Sequence, residues 1–253
     1  MSVVNTTVHA GVATVTLNRP DSMNAITVEL GRELDREIRA CATRADVAVI
    51  AVRGSGGNFC AGGDFDEVQR LRAEGVDALR VLFTNFGDAC RAIAECPVPV
   101  IAVVEGVAMA GGFEFMQAAD IALVRDDARI ADNHIRFGQI PGGGSTARLA
   151  SLVGRQQALG LLLSGDRISG VDAARLGLAY AHWPADDFDR EVAVFLSKLA
   201  SRRRDAVIGI KKLVYQSLSR SVSDSLDAEL NAVVAHISSD AGQDGVTSFA
   251  TRK

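Results

Sequence analysis

Twice in its first half the chain runs an almost wholly apolar segment straight into a glycine-dense loop. Residues 47–52 lead into the loop 53–64, and Val100–Val104 lead into Gly106-Val107-Ala108-Met109-Ala110-Gly111-Gly112-Phe113-Glu114. A strand with no polar alternation is buried on both faces, which is the habit of a parallel sheet covered by helices. A third such run, residues 121–124, follows the second loop. Between them lie helical patterns. Thr27 precedes a stripe of Leu30, Leu34 and Ile38, with Glu29 and Glu33 early and Arg39 and Arg44 late, as the helix dipole favours. Before it, Val12, Thr14 and Thr16 alternate with Ala13, Val15 and Leu17, a half-buried strand. Residues 67–75 show no readable period, and a helix is expected from there to about Cys96. From Ser145 onward helices dominate, over 149–163, 192–199, 208–218 and Val222–Ile237. The last carries Val222, Leu226, Leu230, Val233 and Ile237 on one stripe, with Ser221 and Asp224 spaced as a capping box. The expected fold class is therefore α/β, with an α/β core over 1–195 and a helical region over 196–253. No linker or repeat separates them, so one continuous unit is expected.

Composition narrows the function. A chain of 253 residues that is 48% hydrophobic can bury a sizeable core. Its longest apolar stretch, 98–104 with Pro99 inside it, is too short to span a bilayer, and no charged-then-apolar leader opens the chain. The four cysteines have neither metal-ligand pairing nor disulfide density, so reduced thiols and a cytoplasmic location are expected, with no metal. A net charge of −4 and a pI near 5.6 argue against nucleic-acid binding. The run Arg202-Arg203-Arg204 reads as a solvated edge at a helix start.

The glycine loops carry the chemical reading. Glycine permits positive φ and close approach of a ligand to the backbone. A helix opening at Gly111 would present free N–H groups at its positive dipole end. Two such loops can aim two backbone N–H groups at one oxygen, an oxyanion hole. Either loop alone reads more simply as a tight turn; the pair, with Glu114 just beyond the second, points to function.

At these positions the sequence resembles a known family. Asn18-Arg19-Pro20 with Asn24-Ala25, then Phe59-Cys60-Ala61-Gly62-Gly63-Asp64, then Glu105-Gly106 with Gly111-Gly112-Phe113-Glu114 and Ala119-Asp120-Ile121, then Ile140-Pro141-Gly142-Gly143-Gly144 are similar to the enoyl-CoA hydratase/isomerase (crotonase) superfamily. The motifs stand in the family's order and cover about residues 5–250. The resemblance implies a spiral of ββα repeats followed by C-terminal helices that build a homotrimer or a dimer of trimers. It implies an acyl-CoA thioester bound as substrate, with no separate cofactor, and an oxyanion hole of the Gly63 and Gly111 N–H groups.

Glu114 matches the first of the two glutamates with which the family's hydratases hold water. A partly desolvated carboxyl there has its pKa raised and can exchange a proton; the plainer reading is a first-turn glutamate favoured by the dipole. The second glutamate's position holds His134, in Asp132-Asn133-His134-Ile135, a departure from the family pattern. Histidine does acid/base chemistry near neutral pH, yet the position also fits a one-base enzyme or a protein without turnover. Adjacent strand residues point to opposite faces, so at most one of Asp132 and Asn133 faces His134's side.

By the same resemblance, CoA contacts fall on Asn24 and Ala25 and on Ala61, Gly62, Asp64 and Phe65. Phosphate charge is left to Arg19 or to a C-terminal lysine of a neighbouring subunit. His9, His182 and His236 read as structural or exposed, Cys60 as packing, and Ser145 with Thr146 as the cap of the next helix. The leading function is hydration of a 2-enoyl-CoA through a thioester enolate. A one-base double-bond isomerase and a silent acyl-CoA-binding paralogue stand beside it, and hydrolysis or dehalogenation on the same scaffold stays open.

Overall fold

The computed structural model describes residues 2–240, 242 and 243. Strands β1 (Val4–His9) and β2 (Val12–Leu17) form an antiparallel hairpin. In β2 the side chains of Ala13, Val15 and Leu17 are buried, as the alternation predicts. Helix α1 (Val28–Ala42), capped by the Thr27 hydroxyl accepting the Leu30 N–H at 3.0 Å, carries the chain to β3 (Val49–Gly54), which pairs parallel with β2. Helices α2 (Phe65–Glu74) and α3 (Val76–Glu95) then cross to β4 (Val100–Val104). A short β5 (Val107–Met109) and α4 (Gly111–Ala118) lead to β6 (Ile121–Arg125), and β7 (Arg129–Ala131) follows. Short 3-10 turns span Pro20–Ser22, before α1, and His134–Phe137, after β7. After it come α5 (Ser145–Val153), α6 (Arg155–Ser164), α7 (Gly170–Arg175), β8 (Ala181–Trp183), α8 (Ala185–Ala200), α9 (Arg204–Ser217) and α10 (Val222–Ile237).

The larger sheet runs β1-β2-β3-β4-β6-β8, and β5 pairs with β7 in a second one. Parallel bridges Cys60 to Ala108 and Ile26 to Gly63 prolong that second sheet across the two glycine loops. Each turn of the chain thus contributes a long strand, a glycine turn, a short strand or bridge, and a helix: the expected spiral. The unbroken apolar runs have the expected cause. In β3 and β4, Ile50, Val52, Val100, Ala102 and Val104 enter the main core with α1 and α3. Their neighbours Val49, Ala51, Ile101 and Val103 face the opposite way, onto Phe188, Val192 and Leu196 of α8.

Several expectations shift. The unreadable stretch before Gly75 is helix α2; only Leu71 of it is buried, so no apolar stripe marks it. The helical pattern over 149–163 is two helices, broken at Gly154 with φ of 79°. Gly144, not Ser145 or Thr146, is the N-cap of α5, and Ser145 is its first residue. Arg204 is not a solvated edge: its guanidinium donates to the Val47 carbonyl at 3.2 Å and ties α9 to the core. The boundary expected at 195 falls inside α8, whose Val192 and Leu196 pack in one cluster against the sheet. Among the described residues no helix is long and apolar enough to cross a membrane.

Candidate active site

The two glycine loops meet at their backbones. After β5 the chain turns at Ala110, whose φ of 47° and ψ of −118° lie outside the usual regions for an L-residue. Such a conformation costs about 1–3 kcal/mol and persists only where its surroundings hold it. Here the Ala110 N–H donates to the Ala131 carbonyl and the Glu114 N–H to the Ala110 carbonyl, each at 2.9 Å. The kink opens α4 at Gly111, whose N–H lies in the first turn and has no intrahelical acceptor. In the other loop Gly62 has φ of 101°, its carbonyl accepts the Ile26 N–H at 2.7 Å, and the Asp64 N–H donates to the Ile26 carbonyl at 2.9 Å. Gly63 stands between these bonds. Among the described residues neither the Gly63 nor the Gly111 N–H donates a hydrogen bond. A Cβ on Gly62 would stand 2.7 Å from the Ala110 Cβ and 3.3 Å from the Gly111 nitrogen. Only glycine lets the loops come this close.

Glu114 lies one turn into α4 and is only 2% exposed. Its Oε1 accepts the N–H groups of Gly143 at 2.6 Å and Ser145 at 3.2 Å, so the third glycine loop clamps the carboxyl. Burial raises its pKa, and those two N–H bonds and His134 counter this only in part. Oε2 is left facing the imidazole Nε2 of His134, 3.9 Å away. That gap is too long for a direct hydrogen bond. It fits a water held at about 2.8 Å from each atom.

His134 begins the 3-10 turn, and its Nδ1 lies 2.6 Å from Oδ1 of Asp132, which is 1% exposed. Burial disfavours a charged ring, but Asp132 and Glu114 outweigh it and the net shift is upward. The short contact with a carboxylate makes Nδ1 the protonated nitrogen, which leaves Nε2 to face Glu114. Of the two neighbours weighed in the sequence, Asp132 is the one on His134's side. In an NMR titration, Asp132→Asn should lower the His134 ring pKa, because burial then meets less opposition. An unmoved titration would remove Asp132 from this role.

Residues 7–253 match the enoyl-CoA hydratase/isomerase family. A probable enoyl-CoA hydratase of Rhodobacter capsulatus is 31% identical over 96% of this chain and 93% of its own length. The chain belongs to the enoyl-CoA hydratase/isomerase family. The mitochondrial enoyl-CoA hydratase of Pongo abelii is 29% identical over 96% of this chain and 82% of its own. Among solved structures, an enoyl-CoA hydratase from Polaromonas sp. JS666 superposes with a TM-score of 0.95 at 27% identity, covering 99% of this chain and 97% of that one.

Against that family frame, the residues assigned to CoA divide. Asn24 is fully buried at φ of 57°; its amide donates to the Ser55 and Asn58 carbonyls at 2.9 and 2.7 Å and accepts the Arg19 N–H at 2.9 Å. Arg19 in turn is paired with Asp64 at 2.9 Å and donates to the Ala25 carbonyl. Asp64 also caps α2 through the Glu67 N–H. These side chains hold the loop, Arg19 and Asp64 through their ion pair and Asn24 through its amide. Ala61 is anchored by its N–H to the Met23 carbonyl at 3.0 Å, and Phe65, 70% exposed, offers an open ring at the same rim. The C-terminal Lys253 lies outside the described residues. The Cys60 thiol is buried and pushed up to about 12 by desolvation, as a packing residue requires. His182 pairs with Asp126 at 2.7 Å and His236 with Asp205 at 3.8 Å, both away from Glu114. Among the described residues no group of three or more His, Cys, Asp or Glu is disposed to hold a metal ion.

Proposed function

We propose that this chain hydrates a 2-enoyl-CoA, with Glu114 and His134 as its acid/base pair. The supporting observation is the approach of Glu114 Oε2 and His134 Nε2 to 3.9 Å, with the Gly63 and Gly111 N–H groups donating no hydrogen bond among the described residues. A water between the two side chains adds its oxygen to Cβ and gives one proton to the member of the pair acting as base. Electron density moves to the thioester oxygen, where the Gly63 and Gly111 N–H groups meet the developing charge. The enolate collapses as Cα takes a proton from the other member. One proton thus circulates within the pair. Both groups have raised pKa values, which suits two sites sharing a proton near neutral pH. Each oxyanion donor is worth about 2.7–4 kcal/mol in comparable sites. Acyl-CoA is the substrate and no further cofactor takes part.

Crotonyl-CoA tests this directly. Loss of the enoyl-thioester absorbance with formation of 3-hydroxybutyryl-CoA is the expected result. Migration of the double bond in a 3-enoyl-CoA without hydration would move the assignment to the one-base isomerase, and binding without turnover to the silent paralogue.

The active form is proposed to be a homotrimer or a dimer of trimers. Helices α9 and α10 pack together yet leave Ile210, Val214, Val222, Leu226 and Leu230 between 56 and 77% exposed in the single chain. A stripe of this size asks for cover. Light scattering at micromolar concentration should report a mass of three or six chains, and a stable monomer would refute it.

A further inference from the structure

We propose that Gln117 and Ser145 are positioning residues for the acid/base pair. The buried amide of Gln117 holds the Ser145 hydroxyl, and Ser145 in turn holds the Glu114 carboxyl with Oε2 turned to His134. Both residues act through Glu114, so the proposal rests on the reading above for what Glu114 does.

Glu114 can serve the pair only while Oε2 stays on His134, and a glutamate side chain has several rotatable bonds by which to leave. What stops it is Oε1, which accepts the N–H groups of Gly143 at 2.6 Å and Ser145 at 3.2 Å. Both donors come from the opening of α5. That opening has no side-chain cap of its own, because its N-cap is Gly144. The Glu114 carboxyl, reaching across from α4, takes the cap's place. Where Ser145 sits against α4 therefore decides where Oε1 sits. Gln117 fixes that. It lies three residues beyond Glu114, on the same side of α4, and its Nε2 donates to Ser145 Oγ at 2.9 Å. The first residue of α5 is thus gripped at two points by side chains one helical turn apart, which sets both its distance from α4 and its rotation.

The Gln117 amide makes no other hydrogen bond among the described residues. Every residue of α4 is buried, Gln117 at 6% exposed, and Ser145 opposite is 0% exposed. Gln117 Oε1 has no hydrogen-bond partner. A buried amide with one polar atom unpaired costs stability that an apolar side chain of the same length would not. The amide's one bond is to Ser145, and Ser145 leads to Glu114.

Three variants test the relay: Gln117→Met, which keeps the length and removes the amide, Ser145→Ala, and the two together. Each should lower kcat for crotonyl-CoA hydration about tenfold or more with KM within about twofold, because Glu114 is retained but displaced. The double variant should lose no more than the worse single, since both break one chain of bonds. Its melting temperature should hold or rise, because removing both partners of a buried hydrogen bond leaves neither unpaired. Activity and stability then move in opposite directions, which a pair serving stability alone would not produce. The resting enzyme gives a second readout, the His134 ring titration by NMR. The groups that face Glu114 or its clamp are His134 and Asp132 from the segment after β7, the Cys90 thiol of α3, and Arg148 of α5, which donates to the Gly143 carbonyl at 2.8 Å. The variants retain all of these and loosen Glu114, so the part of the upward shift of His134 that Glu114 supplies should shrink and the ring pKa should fall. Wild-type kcat with an unmoved ring titration in the double variant overturns the proposal. So does a double variant whose loss is the product of the two single losses, which marks two independent effects. A lowered ring titration in a protein that hydrates no crotonyl-CoA supports the relay and overturns only the hydratase reading.

Discussion

Glu114→Gln should lower kcat for crotonyl-CoA hydration by about 10²–10⁴-fold, the usual cost of losing one acid/base group. Binding of a saturated acyl-CoA should stay close to wild type. The substitution is suited to the site. A glutamine carbonyl can accept the Gly143 and Ser145 N–H bonds that Oε1 now accepts, so the clamp by the third glycine loop survives. What changes is the atom facing His134, where an amide nitrogen replaces Oε2 and can no longer take a proton from water. Removing a buried carboxyl whose pKa is raised by burial also relieves a desolvation cost, so thermal stability should hold or rise. A fall in kcat with KM and melting temperature preserved would isolate the chemical role. Unchanged turnover would remove Glu114 from the mechanism.

The residues behind that prediction are legible in the sequence to different degrees. Glycine loops after buried strands are local signals, so the residue order alone places Gly111 and the helix it opens. The Val100–Val104 strand is placed for the same reason, since a run buried on both faces needs no partner to be recognised. Glu114 is legible because it sits a fixed distance beyond Gly111 on one helical turn. Its acceptor bonds from Gly143 and Ser145 are not, because they join positions some thirty residues apart through a turn with no sequence period. Asp132 is half legible: strand alternation puts residues two apart on one face, but the 3-10 turn starting at His134 sets how closely the carboxylate meets the ring. Ala110 gives no signal, since alanine favours ordinary backbone and its kink is imposed by the bonds around it.

His134 separates the remaining mechanisms. In the two-base reading, His134→Gln should cost about as much as Glu114→Gln, roughly 10²–10⁴-fold in kcat. The wild-type rate should fall on the acid side as the ring takes up a second proton for the pair. Because Asp132 and Glu114 together outweigh burial, that limb should lie above the ordinary value near 6.5, and Asp132→Asn should move it to lower pH. In His134→Gln the limb should be absent. Restoring the family's glutamate is less simple than the sequence alone suggests. His134→Glu would set a third carboxyl beside Asp132, now 2.6 Å from the ring nitrogen, and Glu114, 3.9 Å from the other. Like charges at such distances disfavour ionisation and raise each other's pKa. The single substitution should therefore hydrate poorly at neutral pH, and His134→Glu with Asp132→Asn should recover at least about tenfold of that loss, since the double variant removes the repulsion and keeps a carboxyl facing Glu114. Full hydration in His134→Ala would eliminate the second base and leave Glu114 to act alone.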